Sequence, residues 1–435
     1  MAQIAIRRED KSQERRTPVP PKFVEVLREA GVEVIVQSAT QRIFDDDAYR
    51  QVGATVVDDL SDQPLICGIK EIPLDRLEAG KTYVFFSHTI KGQQDNMPLL
   101  AKLLELGCTA IDYERIVDET NRRLVFFGRY AGLAGTIDTL WALGQRLAAR
   151  GADTALAALS SSLAYESLDD AQAAIQAAGR ALVEKAPGKG GLPEDLWPLV
   201  IGVTGTGNTA QGAQEILDVF GAKKVTPDEL PALRKGERAI YQCYFDVHHL
   251  VARHDGRFDL DEYFAHPYRY DAIFSRHLSH LSVLINGIYW DTPFPRVVTI
   301  RDLNRLYRDL APAKLEVIGD ISCDIRGGVE ATLKATWPDD PVYVFDPDTG
   351  EIQSGFDGPG PAIMAVYNLP AELPRDASIG FGEQLLDFLP AIAKARFDQP
   401  LDQSGLPEEV QRAVIVHRGE LTPAYTYLRE FMGTD

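Results

Sequence analysis

The chain has 435 residues, too many for one ordinary core, and reads as two domains. With 45% hydrophobic and 25% charged residues it has the composition of a globular protein, and no apolar run approaches the length of a membrane span. A net charge of -19 without a basic stripe excludes a nucleic-acid partner, and nothing points to a membrane partner.

The opening MAQIAIRRED lacks the apolar core of a secretory signal. Cys67, Cys108, Cys243 and Cys323 are far apart and form no CxxC pair, which suits reduced thiols in a cytoplasm. Arg7, Arg8, Arg15, Arg16, Lys22, Lys70, Lys91, Arg122 and Arg123 crowd the first part of this acidic chain, which is consistent with binding a small anion there, while most of them read as solvated loop charges.

Residues 3–7 are β-prone. Thr17 and Pro18 open a helix that carries Phe23, Val24 and Leu27 and stops at Gly31. Residues 32–36 form a strand and 45–52 a short helix. Residues 65–69 form a buried-type strand ending at Lys70, and 83–86 another ending at Ser87-His88. Residues 95–106 form an amphipathic helix and 109–113 a strand. Strands alternating with helices imply a parallel sheet covered on both faces, with ligands beyond the carboxyl ends of the strands. That rule selects Lys70 and His88. Glu71 follows Lys70, Lys91 and Gln93 follow His88, and Asp112 and Glu114 end the next strand. Taken singly, each reads as a solvated charge or a structural hydrogen-bonding residue. Two different titratable groups over one sheet edge make a proton-transfer set.

Residues 124–128 read as a strand and 131–150 as a long helix with Gly132 and Gly135 in its first turns. Residues 151–185 read as mostly helical. A short apolar strand at 199–203 then leads into Gly205-Thr206-Gly207-Asn208-Thr209-Ala210, spaced G-x-G-x-x-A, and a helix carrying Ala213, Ile216 and Leu217. Strand, tight turn and helix in that order suit a dinucleotide pyrophosphate: glycine lets the backbone approach, and the helix N-terminus offers free N–H groups. An ordinary tight βα turn is the competing reading of such a motif. Residues 222–226 are expected as the second strand of this nucleotide unit. They end at Val225-Thr226 without the carboxylate an NAD site places on the ribose, which points to NADP, or to NAD if Asp228 or Glu229 takes that role. His248, His249 and His254 with Asp246 match no common zinc spacing, so no metal is expected. Residues 282–290, with Asn286 and Tyr289, and 315–322, with Asp320 and Ser322, read as further strands ending near the cofactor. The tail, 382–432, reads as largely helical and packed on the first domain. The expected fold is α/β: two Rossmann-like domains with parallel sheets and a cleft between them. Residues 1–127 with 370–435 form the catalytic domain and 128–369 the dinucleotide-binding domain.

The chain resembles the lysine–2-oxoglutarate reductase domain of aminoadipate semialdehyde synthase. More distantly it resembles the saccharopine dehydrogenases and the alanine dehydrogenase/transhydrogenase group. The resemblance runs through IRRED (6–10), ERRTPVPPK (14–22), GIKEIP (68–73), FFSHTIKGQ (85–93), IDYERIVD (111–118), FGRYAGLAG (127–135), TGTGNTAQGAQEI (204–216), HHLVAR (248–253), LINGIYWDTPFPR (284–296), GDIS (319–322) and NLPAELPRDAS (368–378). It implies condensation of the ε-amine of L-lysine with 2-oxoglutarate and reduction of the imine by NAD(P)H to saccharopine, or the reverse. Lys70 would be the acid/base and His88 its partner acid, with Glu71 and Glu114 tuning them. Arg16, Gln93, Phe127, Asp320 and Ser322 would contact substrate. Arg122, Gly205, Thr206, Gly207, Asn208, Thr226, Asn286 and Tyr289 would contact the cofactor. Two departures bear on the substrate: Tyr367 stands where the family commonly has Asp, and Asp246-Val247 where it often has basic residues. They leave open a related opine-type or amino-acid dehydrogenase with another amine or 2-oxo acid, and, from a different class, a non-catalytic nucleotide sensor. The chain ends without a saccharopine-splitting half, so the expectation is that it either makes saccharopine for a separate enzyme or works the reaction in the catabolic or biosynthetic direction alone. A homo-oligomer is left open.

Overall fold

A computed structural model describes residues 2–309 and 313–432. The chain divides into two compact units: unit 1 comprises Met1–Phe127 and Pro374–Asp435, and unit 2 comprises Gly128–Leu373.

Unit 1 begins with β1 (Ala2–Ile6), β2 (Val32–Gln37), β3 (Thr55–Val57), β4 (Leu65–Cys67), β5 (Thr82–Phe85) and β6 (Thr109–Asp112). These strands are parallel in the order β3-β2-β1-β4-β5-β6, doubly wound with its switch point between β1 and β4. Every residue of β4 and β5 is buried, as expected for strands covered on both faces. The first three helices are α1 (Val24–Glu29), α2 (Asp46–Gln51) and α3 (Met97–Glu105). The helix expected to open at Thr17 and Pro18 begins only with the turn Pro21–Phe23. Pro18, Pro20 and Pro21 lack N–H groups and hold the residues before them extended. Residues 124–128 do not form the expected strand. The Phe126 backbone is met instead by the Gln384 side chain, whose Oε1 accepts the Phe126 N–H at 3.0 Å and whose Nε2 donates to the Phe126 carbonyl at 3.4 Å.

Unit 2 opens with the long helix α4 (Gly128–Ala149), followed by α5 (Leu168–Glu184), β7 (Leu199–Thr204) and α6 (Asn208–Val219). Then come β8 (Lys223–Val225), β9 (Ile240–Phe245), the small hairpin β10 (Val251–Arg253) with β11 (Tyr270–Ala272), β12 (Val283–Asn286) and β13 (Val317–Asp320). The unit ends with β14 (Val342–Phe345), β15 (Ile352–Ser354) and β16 (Ala362–Met364). The main sheet has the order β15-β14-β16-β13-β12-β7-β9-β8, with β14 antiparallel to both its neighbours. One expectation fails here. The strand beside β7 is β9, not β8. The apolar IYQCYF of β9 is almost wholly buried, whereas β8 begins with two exposed lysines and lies at the edge. Helices α4 and α6 meet backbone to backbone: a Cβ on Gly132 would lie 1.9 Å from the Thr209 carbonyl oxygen, and one on Gly212 2.1 Å from that of Arg129.

The tail returns to unit 1. It is not simply helical, because β17 (Val414–His417) and β18 (Glu420–Leu421) extend the first sheet, with β17 antiparallel to β6. An antiparallel strand needs no crossover helix, so the sheet is mostly, not wholly, parallel. No helix among the described residues is long and apolar enough to cross a membrane. The four cysteines are free.

Candidate active site

Two groups of chemistry-bearing residues lie at strand carboxyl ends, one in each unit. In unit 1, β4 delivers Gly68, Ile69 and Lys70 into a turn gripped by Glu9. Its Oε1 accepts the Ile69 N–H at 2.7 Å, and its Oε2 accepts the Lys70 N–H at 3.0 Å. Gly68 makes room for this carboxylate, since a Cβ there would meet Arg7 Cδ at 2.9 Å and Glu9 Oε1 at 3.2 Å. Burial raises the Glu9 carboxyl to about 6. Burial, then the Arg16 guanidinium, lower the Lys70 ammonium to about 8, against the opposing pull of Glu14 and Glu71. Near neutral pH a usable fraction of Lys70 is therefore an unprotonated amine.

His88 follows the neighbouring strand β5 with φ +51°, a left-handed conformation rare for a histidine. Buried Asp112, at the end of β6, holds that turn. Its Oδ2 accepts the Ser87 N–H at 3.0 Å and the Ser87 hydroxyl, while Oδ1 accepts the Glu114 N–H at 2.8 Å. The Asn96 amide donates to the His88 carbonyl at 3.1 Å, and Phe86 stacks on the imidazole. His88 Nδ1 pairs with Glu71, whose other oxygen accepts from Lys11 at 2.7 Å. Burial would raise the Glu71 carboxyl, but the bonds from His88 and Lys11 outweigh it and hold the group ionised, well below the usual range. Glu71 also pulls electrostatically on the Lys70 ammonium, so this one carboxylate bears on both candidate proton-transfer groups.

The remaining unit 1 residues are placed unevenly. Arg16 is 2% exposed at its side chain; Nε and Nη2 bond Glu14 at 2.7 and 2.6 Å, and the guanidinium lies 4.1 Å over the Phe127 ring. Phe127 in turn stacks on Phe381. In the structure Glu14 supplies a carboxylate partner to Arg16. Glu114 does not reach the Lys70–His88 pair; it pairs with Arg123. Gln93 accepts the Lys91 N–H at 3.1 Å in the loop beyond His88. Arg122 is exposed and closes a turn onto Asp118 at 3.0 Å. Glu9, Glu14 and Lys11 are site residues the strand-end rule misses. Their one sequence signal is a dense run of charge, 7–16, directly after a buried strand.

In unit 2 the residues of β7 and α6 fit a pyrophosphate. Gly205 has φ +92°, which favours glycine, and a Cβ on Gly207 would meet nothing within 4 Å. Thr206 is exposed, and Asn208 begins α6, so its free N–H groups face the turn. Beneath lies a polar network. Thr204 donates to Asn286 Oδ1 at 2.6 Å, and Asn286 Nδ2 donates to Asp320 at 2.8 Å and to Ser322 at 3.1 Å. The Ser322 and Thr332 hydroxyls also donate to Asp320, at 2.8 and 2.5 Å. Asp320 is wholly buried, and both its oxygens are engaged by Asn286, Ser322 and Thr332. Burial raises its carboxyl. Tyr289 is 63% exposed, its hydroxyl 3.3 Å from Asp291. Thr226 lies beyond edge strand β8, capped by Glu229 at 2.8 and 2.9 Å, away from β7. Tyr367 packs beside Trp337. Among the described residues no group of three or more His, Cys, Asp or Glu could hold a metal ion.

With this geometry in hand, residues 5–134 match the family profile described as Alanine dehydrogenase/PNT, N-terminal domain. The chain is similar to an alpha-aminoadipic semialdehyde synthase of Arabidopsis thaliana, 37% identical over 95% of this chain and 40% of that protein. It is also similar to the mitochondrial alpha-aminoadipic semialdehyde synthase of Mus musculus, 34% identical over 98% and 47%. It thus spans less than half the length of these relatives. A saccharopine dehydrogenase [NAD(+), L-lysine-forming] of Yarrowia lipolytica is 27% identical over 89% of this chain and 91% of its own. Among solved structures, an L-alanine dehydrogenase superposes with a TM-score of 0.62 at 18% identity, over 99% of this chain and all of that one; this likeness speaks for the fold alone.

Proposed function

We propose that the chain belongs, by the similarities above, to the saccharopine dehydrogenase and alanine dehydrogenase/transhydrogenase superfamily, and that it condenses L-lysine with 2-oxoglutarate and reduces the imine to saccharopine, or runs the reverse. The observation that carries the proposal is the placement of Lys70, lowered to about 8, and the His88–Glu71 pair at the carboxyl ends of neighbouring strands.

Condensation needs a free amine, and lysine's ε-amine is protonated at neutral pH. Neutral Lys70 Nζ takes that proton, and the freed nitrogen attacks the keto carbon. The carbinolamine then loses its hydroxyl as water, which requires a proton at that oxygen; His88, supported by Glu71, delivers it. When bound, the nicotinamide cofactor supplies the hydride that reduces the imine carbon. Gln93, Phe127 and Ser322 are the proposed substrate contacts. Gly205, Gly207 and Asn208 take the pyrophosphate, with Asn286 and Tyr289 at the neighbouring strand end. A pure nucleotide sensor has no use for a tuned acid/base pair, which disfavours that reading. The spaced, free cysteines suit a reducing compartment, and the cytoplasm is the proposed one.

The test is oxidation of reduced cofactor with L-lysine and 2-oxoglutarate. Turnover that vanishes when either substrate is omitted is expected. Turnover only with another amine or 2-oxo acid would replace the reaction by a related one on the same scaffold.

A further inference from the structure

The side of the glycine turn that receives an adenosine ribose is built by the strand beside β7, and that strand is β9. The two pair in register from Leu199↔Ile240 to Thr204↔Phe245. The Gly205 N–H donates to the Phe245 carbonyl at 2.9 Å, so the turn is tied to the last residue of β9. The next residue is Asp246. In a doubly wound sheet this is the place where a carboxylate accepts the ribose hydroxyls, and where a 2′-phosphate would otherwise sit.

The Asp246 side chain is 50% exposed. Its Oδ1 accepts the Val247 N–H at 2.6 Å, and its Oδ2 lies 3.6 Å from His248 Nδ1. Residues 247–249, Val-His-His, bring no lysine or arginine to the strand end. The nearby lysines, Lys223 and Lys224, stand on β8, one strand farther out, with Lys224 on Asp218 at 3.7 Å. Thr226 directly follows that outer strand, which is two strand spacings or roughly 10 Å from β7. The absence of acid at Val225-Thr226 therefore says nothing about the ribose.

We propose that Asp246 makes this chain an NAD(H) protein, by accepting the adenosine ribose hydroxyls and repelling a 2′-phosphate. The inference rests on reading β7 and α6 as the nucleotide site, and is independent of which amine or oxo acid is reduced. Asp246 also caps the turn Val247–Leu250. The substitution Asp246→Asn separates the two roles, because asparagine caps equally well and carries no charge.

The experiment is titration of the full chain with NADH and with NADPH, substrates absent, followed by nicotinamide fluorescence. Wild type is expected to bind NADH at least about tenfold more tightly than NADPH, and Asp246→Asn to reduce that ratio by about tenfold. Equal affinities, a preference for NADPH, or an unchanged ratio in Asp246→Asn each overturn the assignment. Failure of both cofactors to bind overturns it together with the site. Absence of turnover with lysine and 2-oxoglutarate would count against the proposed reaction and leave these binding ratios, and the assignment, standing.

Discussion

Arg16 and Glu14 close a two-point ion pair, 2.7 Å from Nε to Oε1 and 2.6 Å from Nη2 to Oε2, with both side chains almost wholly buried and within electrostatic reach of Lys70. Breaking such a pair leaves an uncompensated charge. Arg16→Ala is expected to cost about 3–5 kcal/mol of stability, and the double change Glu14→Ala with Arg16→Ala less than the sum of the singles. Denaturant unfolding of the two singles and the double checks this; strict additivity would mean the pair is not coupled.

On the proposed mechanism Lys70 sets the pH dependence. Burial and Arg16 lower its ammonium from 10.5 to about 8, so the group is protonated below that pH and gains a lone pair above it. A base must be neutral to act, so kcat/KM for saccharopine formation should rise with pH and level off above about 8. Lys70→Met should remove that limb and cut kcat by about 10²–10⁴-fold while leaving cofactor affinity intact. A pH profile flat from 6 to 9 in wild type, within the stable range, would take Lys70 out of the mechanism.

On the proposed mechanism Glu71 works through His88. Its two oxygens are divided between the imidazole and Lys11, and those bonds keep it ionised despite burial. Glu71→Gln keeps the shape and removes the charge that supports an imidazolium. The expected result is a fall in kcat of about 10²-fold with KM for both substrates little changed. A rise in KM with kcat unchanged would make Glu71 a binding residue instead.

Lys70 and His88 could be found in the sequence because each ends a short apolar run, and in a parallel sheet the carboxyl ends converge. Glu9 and Glu14 could not, because their roles arise only when the loop after β1 folds over the turn after β4. The glycine turn was legible from its local order of strand, turn and helix. The identity of the strand beside it was not. Residues 222–226 are the expected second strand, but burial decides which strand lies against β7: the mostly apolar β9, not among the expected strands, goes inside and the lysine-bearing β8 goes to the edge. That single reversal of order moves the ribose position from Thr226 to Asp246. The long-range Gln384–Phe126 bonds likewise replace a strand that hydrophobicity alone favours.

Gly132 supports the nucleotide turn from below. It lies in α4 where the helix crosses α6, and an added Cβ would fall 1.9 Å from the carbonyl oxygen of Thr209, the second residue of α6. The obstacle is backbone rather than a flexible side-chain tip, so Gly132→Ala must push α6 away from α4. Gly212, facing Arg129 on the other side of the same crossing at 2.1 Å, prevents a sliding adjustment. Overpacking of this kind costs about 1–3 kcal/mol, against which alanine's better helix propensity returns less than about 1 kcal/mol. Because the displaced end of α6 is the one that offers its N–H groups to the pyrophosphate, cofactor affinity should fall together with stability. The measurement is thermal unfolding of Gly132→Ala with and without saturating NADH. A lower Tm and a smaller NADH-induced rise are expected, whereas an unchanged rise would show that α4 sets the stability of unit 2 without positioning its nucleotide turn.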